Sequence, residues 1–189
     1  GYSGQKCSAY SILYLPDTML EDFTERFINY HEKEHLQVKD TYCLIGHQSY
    51  KETVNTIKNA KSNESMKLLM GGNYSDKNGY YVEPTLFHVK AGNKLLKREL
   101  FSPILLVRTY PRVFKNLALH DCAYNSDYKL TGAIFSKNQE FIDNTSEFLD
   151  GSCGNFYVND KSTGSVVGQQ PFGGFGKSGT NDKAGDINF

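Results

Sequence analysis

The sequence predicts an α/β domain with a mainly parallel sheet flanked by helices. Runs of strand length, rich in β-branched and aromatic residues, alternate with segments of helical apolar period from Ala9 to Val158. The 189 residues are also enough for one domain in which helices cover such a sheet, with a core that needs neither disulfides nor metal. The longest Gly-rich stretch comes last, from Gly164 to Gly185.

Ala9 to Leu15 reads as the first strand. Pro16-Asp17-Thr18 breaks it and opens a helix, with Thr18 and Glu21 as a capping box and Met19, Leu20, Phe23, Phe27 and Ile28 on one apolar face. A second box, Ser49 with Glu52, precedes Val54, Ile57 and Ala60. Met66 to Met70 is a buried-looking run that stops at Gly71-Gly72. Val82 to Val89, Ile104 to Tyr110 and Leu130 to Phe135 are strand runs. Ser136 with Gln139 opens a helix bearing Phe141, Ile142, Phe148 and Leu149, and Gly154 to Val158 is the last strand. In parallel sheets, ligand chemistry gathers beyond the carboxyl ends of strands. The loop from Asn159 to Phe172 is rich in Gly, Ser and Thr and long enough to be functional.

Basic and acidic side chains balance at 21 each, so no bulk charge attracts nucleic acid or anionic lipid. No apolar stretch reaches membrane-spanning length, and no basic-then-apolar segment heads the chain. The expectation is no nucleic-acid and no membrane partner. Cys7, Cys43, Cys122 and Cys153 lack paired spacing, which fits reduced thiols in an intracellular compartment. On that reading the sequons at Asn63, Asn73 and Asn144 are silent. The chain opens without Met and meets a cysteine motif at its seventh residue, which suggests a segment of something longer.

Two motif matches fail on context. His31-Glu32-Lys33-Glu34-His35 spells a zinc-protease pattern, but Phe23, Phe27, His31 and His35 form one i, i+4 row at a helix end and no third ligand follows at a recognisable spacing. No metal site is expected. Gly174, Gly176 and Gly179 spell a dinucleotide fingerprint, yet ten residues after Gly179 leave no room for the helix and strand it needs.

Gly4-Gln5-Lys6-Cys7 sets a cysteine beside a lysine that favours the thiolate. Read with Glu99-Leu100-Phe101-Ser102-Pro103 and Pro171-Phe172-Gly173-Gly174, it resembles the aldehyde dehydrogenase superfamily, whose three motifs occur here in order. The run from Gly154 to Ser165, followed by Gly168 to Phe172 and Ser178 to Lys183, is similar to the branch that oxidises glutamate 5-semialdehyde to glutamate in proline breakdown. The resemblance implies the nucleophile-bearing catalytic domain of an NAD-dependent enzyme, spanning residues 1–189. It implies a small-molecule substrate, a homodimer or higher homo-oligomer for the full enzyme, and the mitochondrial matrix in a eukaryote or the cytoplasm otherwise.

Residue by residue, the resemblance makes Cys7 the nucleophile that forms a thiohemiacetal and then a thioester, with its own N–H in the oxyanion hole. Ser8, Gly164, Ser165 and Phe172 contact substrate, the Gly164-Ser165 amides holding an α-carboxylate without a cation. Glu99 accepts from the ribose on the nicotinamide side, and Phe101 packs near the nicotinamide. The nucleotide-binding domain, the general-base Glu and the oxyanion-hole Asn all precede the cysteine in the family, so these 189 residues alone are not expected to turn over. The oligomerisation tail lies beyond the matched segment. Ser102 stands where the superfamily usually has Gly, and Phe175-Gly176-Lys177 replaces smaller residues. A dehydrogenase for a different acidic aldehyde, or a non-catalytic remnant acting as a binding module, stays open.

Overall fold

The computed structural model describes residues 2–33, 42–162 and 164–187. His35 of the zinc-like pattern lies outside the described residues. The chain divides into two compact units, Gly1–Lys6 with Tyr10–Phe114, and Cys7–Ala9 with Lys115–Phe189.

The first unit is a four-stranded sheet between two helices. Its strands are β1 (Ile12–Pro16), β2 (Met66–Met70), β5 (Thr85–Val89) and β6 (Ile104–Tyr110), in the order β1-β6-β5-β2. β1, β6 and β5 run parallel and β2 pairs antiparallel at the edge. Strand periodicity sends alternate residues to opposite faces. Phe87, Val89, Ile104 and Leu106 pack with Val54, Ile57 and Ala60 of α2 (His47–Lys61), whereas Leu86, Leu105 and Val107 pack with Leu20, Phe23 and Phe27 of α1 (Leu20–Lys33). A short hairpin, β3 (Tyr74–Ser75) with β4 (Tyr81–Val82), sits between β2 and β5 in the chain. The run predicted from Val82 to Val89 is therefore two strands, broken at Glu83-Pro84, because proline has no N–H for a ladder.

The second unit holds α3 (Lys115–Tyr124), β7 (Tyr128–Lys129), β8 (Thr131–Ile134), α4 (Gln139–Phe148), β9 (Asn155–Val158) and β10 (Phe175–Gly176). β8 and β9 are parallel, and β7 pairs antiparallel with β10. Asn159, at φ 55°, ends β9 and bridges to Ser136 through both side-chain atoms, accepting from its N–H and donating to its carbonyl at 2.9 Å each. Among the described residues no helix is long and apolar enough to cross a membrane.

Several sequence expectations shift. The first strand starts at Ile12, and Ala9 belongs to the turn that carries Cys7. None of the three capping boxes forms. A 3-10 turn, Asp17–Met19, precedes α1, with Asp17 accepting from the Thr18 N–H. α2 begins at His47 behind Gly46, and Glu52 takes its bond from Gln48 one turn back rather than reaching the Ser49 amide. α4 is capped by Asn138, which accepts from the Phe141 N–H at 2.8 Å. α3 was not expected at all. The Glu99–Pro103 segment enters the amino end of β6, whereas the Asn159–Phe172 loop leaves the carboxyl end of β9.

His88 on β5 bonds Thr109 Oγ1 through Nε2 at 2.8 Å. Burial, then Arg108, Lys67 and Lys90, hold its imidazolium form below the ordinary range. The neutral form is favoured in the fold, so this stabilisation is complete above the unfolded value near pH ~6.5 and is lost as pH falls below it. Melting at pH 7.5 and pH 5.5 should show a fall in Tm toward acid that is smaller in His88→Gln, which keeps a donor for Thr109 but cannot titrate; equal falls would refute the assignment.

Candidate active site

In the first unit, the segment before the cysteine is anchored by Gln5. Its Nε2 donates to the carbonyls of Cys43 at 3.0 Å and Tyr2 at 3.2 Å, and its Oε1 accepts from the Ile45 N–H at 2.8 Å. Leu44, between those two contacts, is buried in the α2-side core. The same segment meets the 99–103 motif through Gly4. At φ +70°, Gly4 lies so close to Ser102 that a Cβ would stand 2.2 Å from the Ser102 carbonyl oxygen.

That motif has its own strain. Phe101 sits at φ 46°, a left-handed conformation that costs a bulky residue energy, and the residue is 43% exposed. Ser102 avoids positive φ, which is why a side chain is tolerated there; it is buried. Glu99 is exposed, and partial burial raises its carboxyl above the ordinary range.

In the second unit, Cys7 lies exposed in a turn. The next residue is fastened to the loop after β9, where the Ser162 hydroxyl donates to the Ser8 carbonyl at 2.6 Å, with Ser162 only 2% exposed. Residues 154 positions apart thus share one part-buried hydrogen bond. The loop itself is pinned from below. Asn155 of β9 donates to the Pro171 carbonyl at 2.9 Å and accepts from the Gly173 N–H at 3.2 Å. Phe172 exchanges backbone bonds of 3.0 Å with Ala184, and Lys183 donates to the Gly154 carbonyl. Gly154 has no alternative residue: a Cβ would fall 1.7 Å from the Gly173 carbonyl oxygen.

Gly164 closes the turn of this loop that begins at Lys161, and Ser165 follows it. The Gly164 N–H donates to the Lys161 carbonyl at 3.2 Å, and the Ser165 hydroxyl donates to the Gln170 carbonyl at 3.2 Å. Glu99 and Phe101 thus belong to the first unit, and Cys7, Ser8, Gly164, Ser165 and Phe172 to the second. Sequence reasoning missed the roles of Gln5, Asn155 and Ser162, although all three stand inside the quoted motifs. Gly174, Gly176 and Gly179 build the turn around β10, with Ser178 Oγ accepting from the Lys129 N–H at 3.0 Å.

The sequence model of the aldehyde dehydrogenase family matches residues 1–189, and the chain belongs to that family. It is similar to the mitochondrial delta-1-pyrroline-5-carboxylate dehydrogenases of Danio rerio, 38% identical over 193 residues, and Homo sapiens, 39% identical over 195. Each match covers 97% of this chain and 34% of the relative, so the chain spans about one third of their length. A solved 1-pyrroline-5-carboxylate dehydrogenase from Thermus with bound NAD superposes with a TM-score of 0.86 at 33% identity, covering 98% of this chain and 36% of that one.

Thiolate availability separates the cysteines. Cys122 keeps part of its surface exposed, yet desolvation by the atoms packed around it is the main cause that pushes its thiol up to about 11, and the same cause raises the half-buried Cys153. A thiol at that value is ionised in about one molecule in ten thousand at neutral pH. Iodoacetamide at neutral pH followed by peptide mass mapping should therefore label Cys7 well ahead of Cys122 and Cys153. Faster labelling of Cys122 or Cys153 would contradict the nucleophile assignment.

Proposed function

We propose that this chain is the nucleophile-bearing part of an NAD-dependent 1-pyrroline-5-carboxylate dehydrogenase that oxidises L-glutamate 5-semialdehyde to L-glutamate in proline catabolism. The observation that carries the reading is the Ser162–Ser8 hydrogen bond, which ties the residue after Cys7 to the loop bearing Gly164 and Ser165 within one compact unit. The names of the Danio rerio and Homo sapiens relatives support the substrate, and the NAD held by the Thermus relative supports the cofactor.

Cys7, as thiolate, adds to the aldehyde carbon, and its backbone N–H faces the oxygen that becomes negative. The thiohemiacetal so formed loses hydride to give a thioester, which water hydrolyses to the acid and the free thiol. Bound NAD supplies the hydride acceptor. The residues of this chain suit it: the exposed Glu99 carboxylate accepts from ribose hydroxyls, and the exposed Phe101 ring, held out by its left-handed backbone, offers a flat face to the nicotinamide.

Ser8 adds a hydroxyl beside the nucleophile and Phe172 flanks the aliphatic middle of the substrate. The α-carboxylate at its far end takes donors from the Gly164–Ser165 turn, where the Gly164 N–H exchanges its bond to Lys161 for one to a charged acceptor. In the proposed enzyme the partners are this small molecule and further copies of itself in a homodimer or larger assembly. Its compartment is the mitochondrial matrix in a eukaryote, as the relatives' names suggest, and the cytoplasm in a bacterium.

The test is a chimaera in which these 189 residues replace the matching third of the human relative. It should reduce NAD with glutamate semialdehyde, and Cys7→Ala should abolish turnover of every aldehyde. In Gly164→Val, the added side chain starts from a position where even a Cβ stands 3.2 Å from the Lys161 carbonyl oxygen. Losing one or two charge-assisted bonds costs about 1.5–3 kcal/mol each, roughly tenfold to more than a hundredfold in kcat/KM. Propanal, which has no carboxylate, should lose much less. Equal losses on both substrates would mean that the turn supports the site generally and does not read the carboxylate.

A further inference from the structure

β9 turns two polar side chains inward, Asn155 and Tyr157, at 3% and 7% exposure. Asn155 uses both ends of its amide on Pro171 and Gly173. The Tyr157 hydroxyl is buried and its O–H has no acceptor; only the Ser165 N–H approaches its oxygen, too loosely for a formed hydrogen bond. Native interiors rarely leave such a group unpaired, because its desolvation is then uncompensated.

The surroundings define the missing partner. The Tyr157 ring lies under the turn, its Cε1 3.3 Å from the place a Cβ on Gly164 would occupy. Burial raises the phenol above its ordinary range, while the Ser165 N–H directed at its oxygen acts in the opposite direction. The Gly164 N–H and the Ser165 hydroxyl are committed to Lys161 and Gln170. The phenol O–H is a donor that lacks an acceptor, next to the turn proposed to hold a carboxylate. Asp160 is the acidic neighbour. Its Oδ2 lies 3.3 Å from the same Gly164 position, and its Oδ1 accepts from the Lys161 N–H at 2.7 Å. A negative charge beside the turn disfavours a bare anion and suits an α-amino acid, whose ammonium stands next to its carboxylate.

We propose that Tyr157 is a further substrate-binding residue, whose hydroxyl donates to the α-carboxylate of the amino-acid aldehyde at the Gly164–Ser165 turn. The proposal rests on reading that turn as the carboxylate anchor. It assigns the specificity of the site partly to a strand residue beneath the loop rather than to the loop alone.

L-glutamate titrated into the 15N-labelled chain, with the Gly164 and Ser165 amides followed by NMR, tests this against Tyr157→Phe. The unchanged chain should show saturable shifts at both amides, and the variant should bind about tenfold more weakly. Its Tm should equal or exceed that of the unchanged chain, because the deleted O–H has no acceptor in the free protein; a merely structural phenol would lower Tm and leave affinity alone. Undiminished affinity in Tyr157→Phe, or a lowered Tm, overturns the proposal and leaves the reading of the turn intact. No shift at Gly164 and Ser165 in the unchanged chain overturns that reading and the proposal together.

Discussion

A hydroxyl with almost no solvent access, Ser162 Oγ, donates at 2.6 Å to the backbone carbonyl of Ser8. The placement of the Cys7 segment beside the loop after β9 depends on this bond. A hydroxyl as buried as that of Ser162 carries a penalty of about 1–3 kcal/mol when it loses its acceptor, so the two segments are held together by the cost of separating them as much as by the bond itself. The bond works only because the loop is fixed beneath it. Asn155 clamps Pro171 and Gly173, and the missing Cβ of Gly154 lets the Gly173 carbonyl approach where no other residue could sit. Remove either support and Ser162 has no fixed place from which to reach Ser8.

The other unit has the same economy of backbone contact. Gly4 meets the Ser102 carbonyl at a distance that excludes any side chain, and the Gln5 amide imitates a strand partner by donating to Cys43 and accepting from Ile45. These contacts draw the residues leading to Cys7 onto the segment that enters β6. Parallel pairing of β1 with β6, Ile12 opposite Leu106, brings the two approaches to the same end of the sheet. The strain at Phe101 falls on the residue whose exposed ring is proposed to meet the cofactor, as backbone strain at working sites often does.

The strands of the sheet were legible because β-branched and aromatic runs of strand length have few other uses, and the α/β class followed from their alternation with helices. The helix from Lys115 to Tyr124 was not, because Leu117, Ala118, Leu119, Ala123 and Tyr124 spread around its circumference and give no single apolar face. Helix starts were displaced because a capping box is one of several local solutions: Asp17, Gly46 and Asn138 took the positions that Thr18, Ser49 and Ser136 suggested. The family motifs located Cys7, Glu99, Phe101 and the Gly164–Ser165 turn as candidates. They did not disclose what Ser162, Asn155 and Tyr157 do, since each acts on a partner defined only after the chain has folded, in one case 154 residues away.

The central claim is that the reactive thiol and the carboxylate-reading turn form one site. An amino-acid chloromethyl ketone of glutamate's length joins an electrophile to an α-carboxylate, and the rate at which it alkylates Cys7 measures both at once. Saturable labelling of Cys7 that L-glutamate slows and that Gly164→Val removes is the result this account predicts. Labelling that rises linearly with reagent, at the pace of a simple haloacetamide and indifferent to L-glutamate, would contradict it.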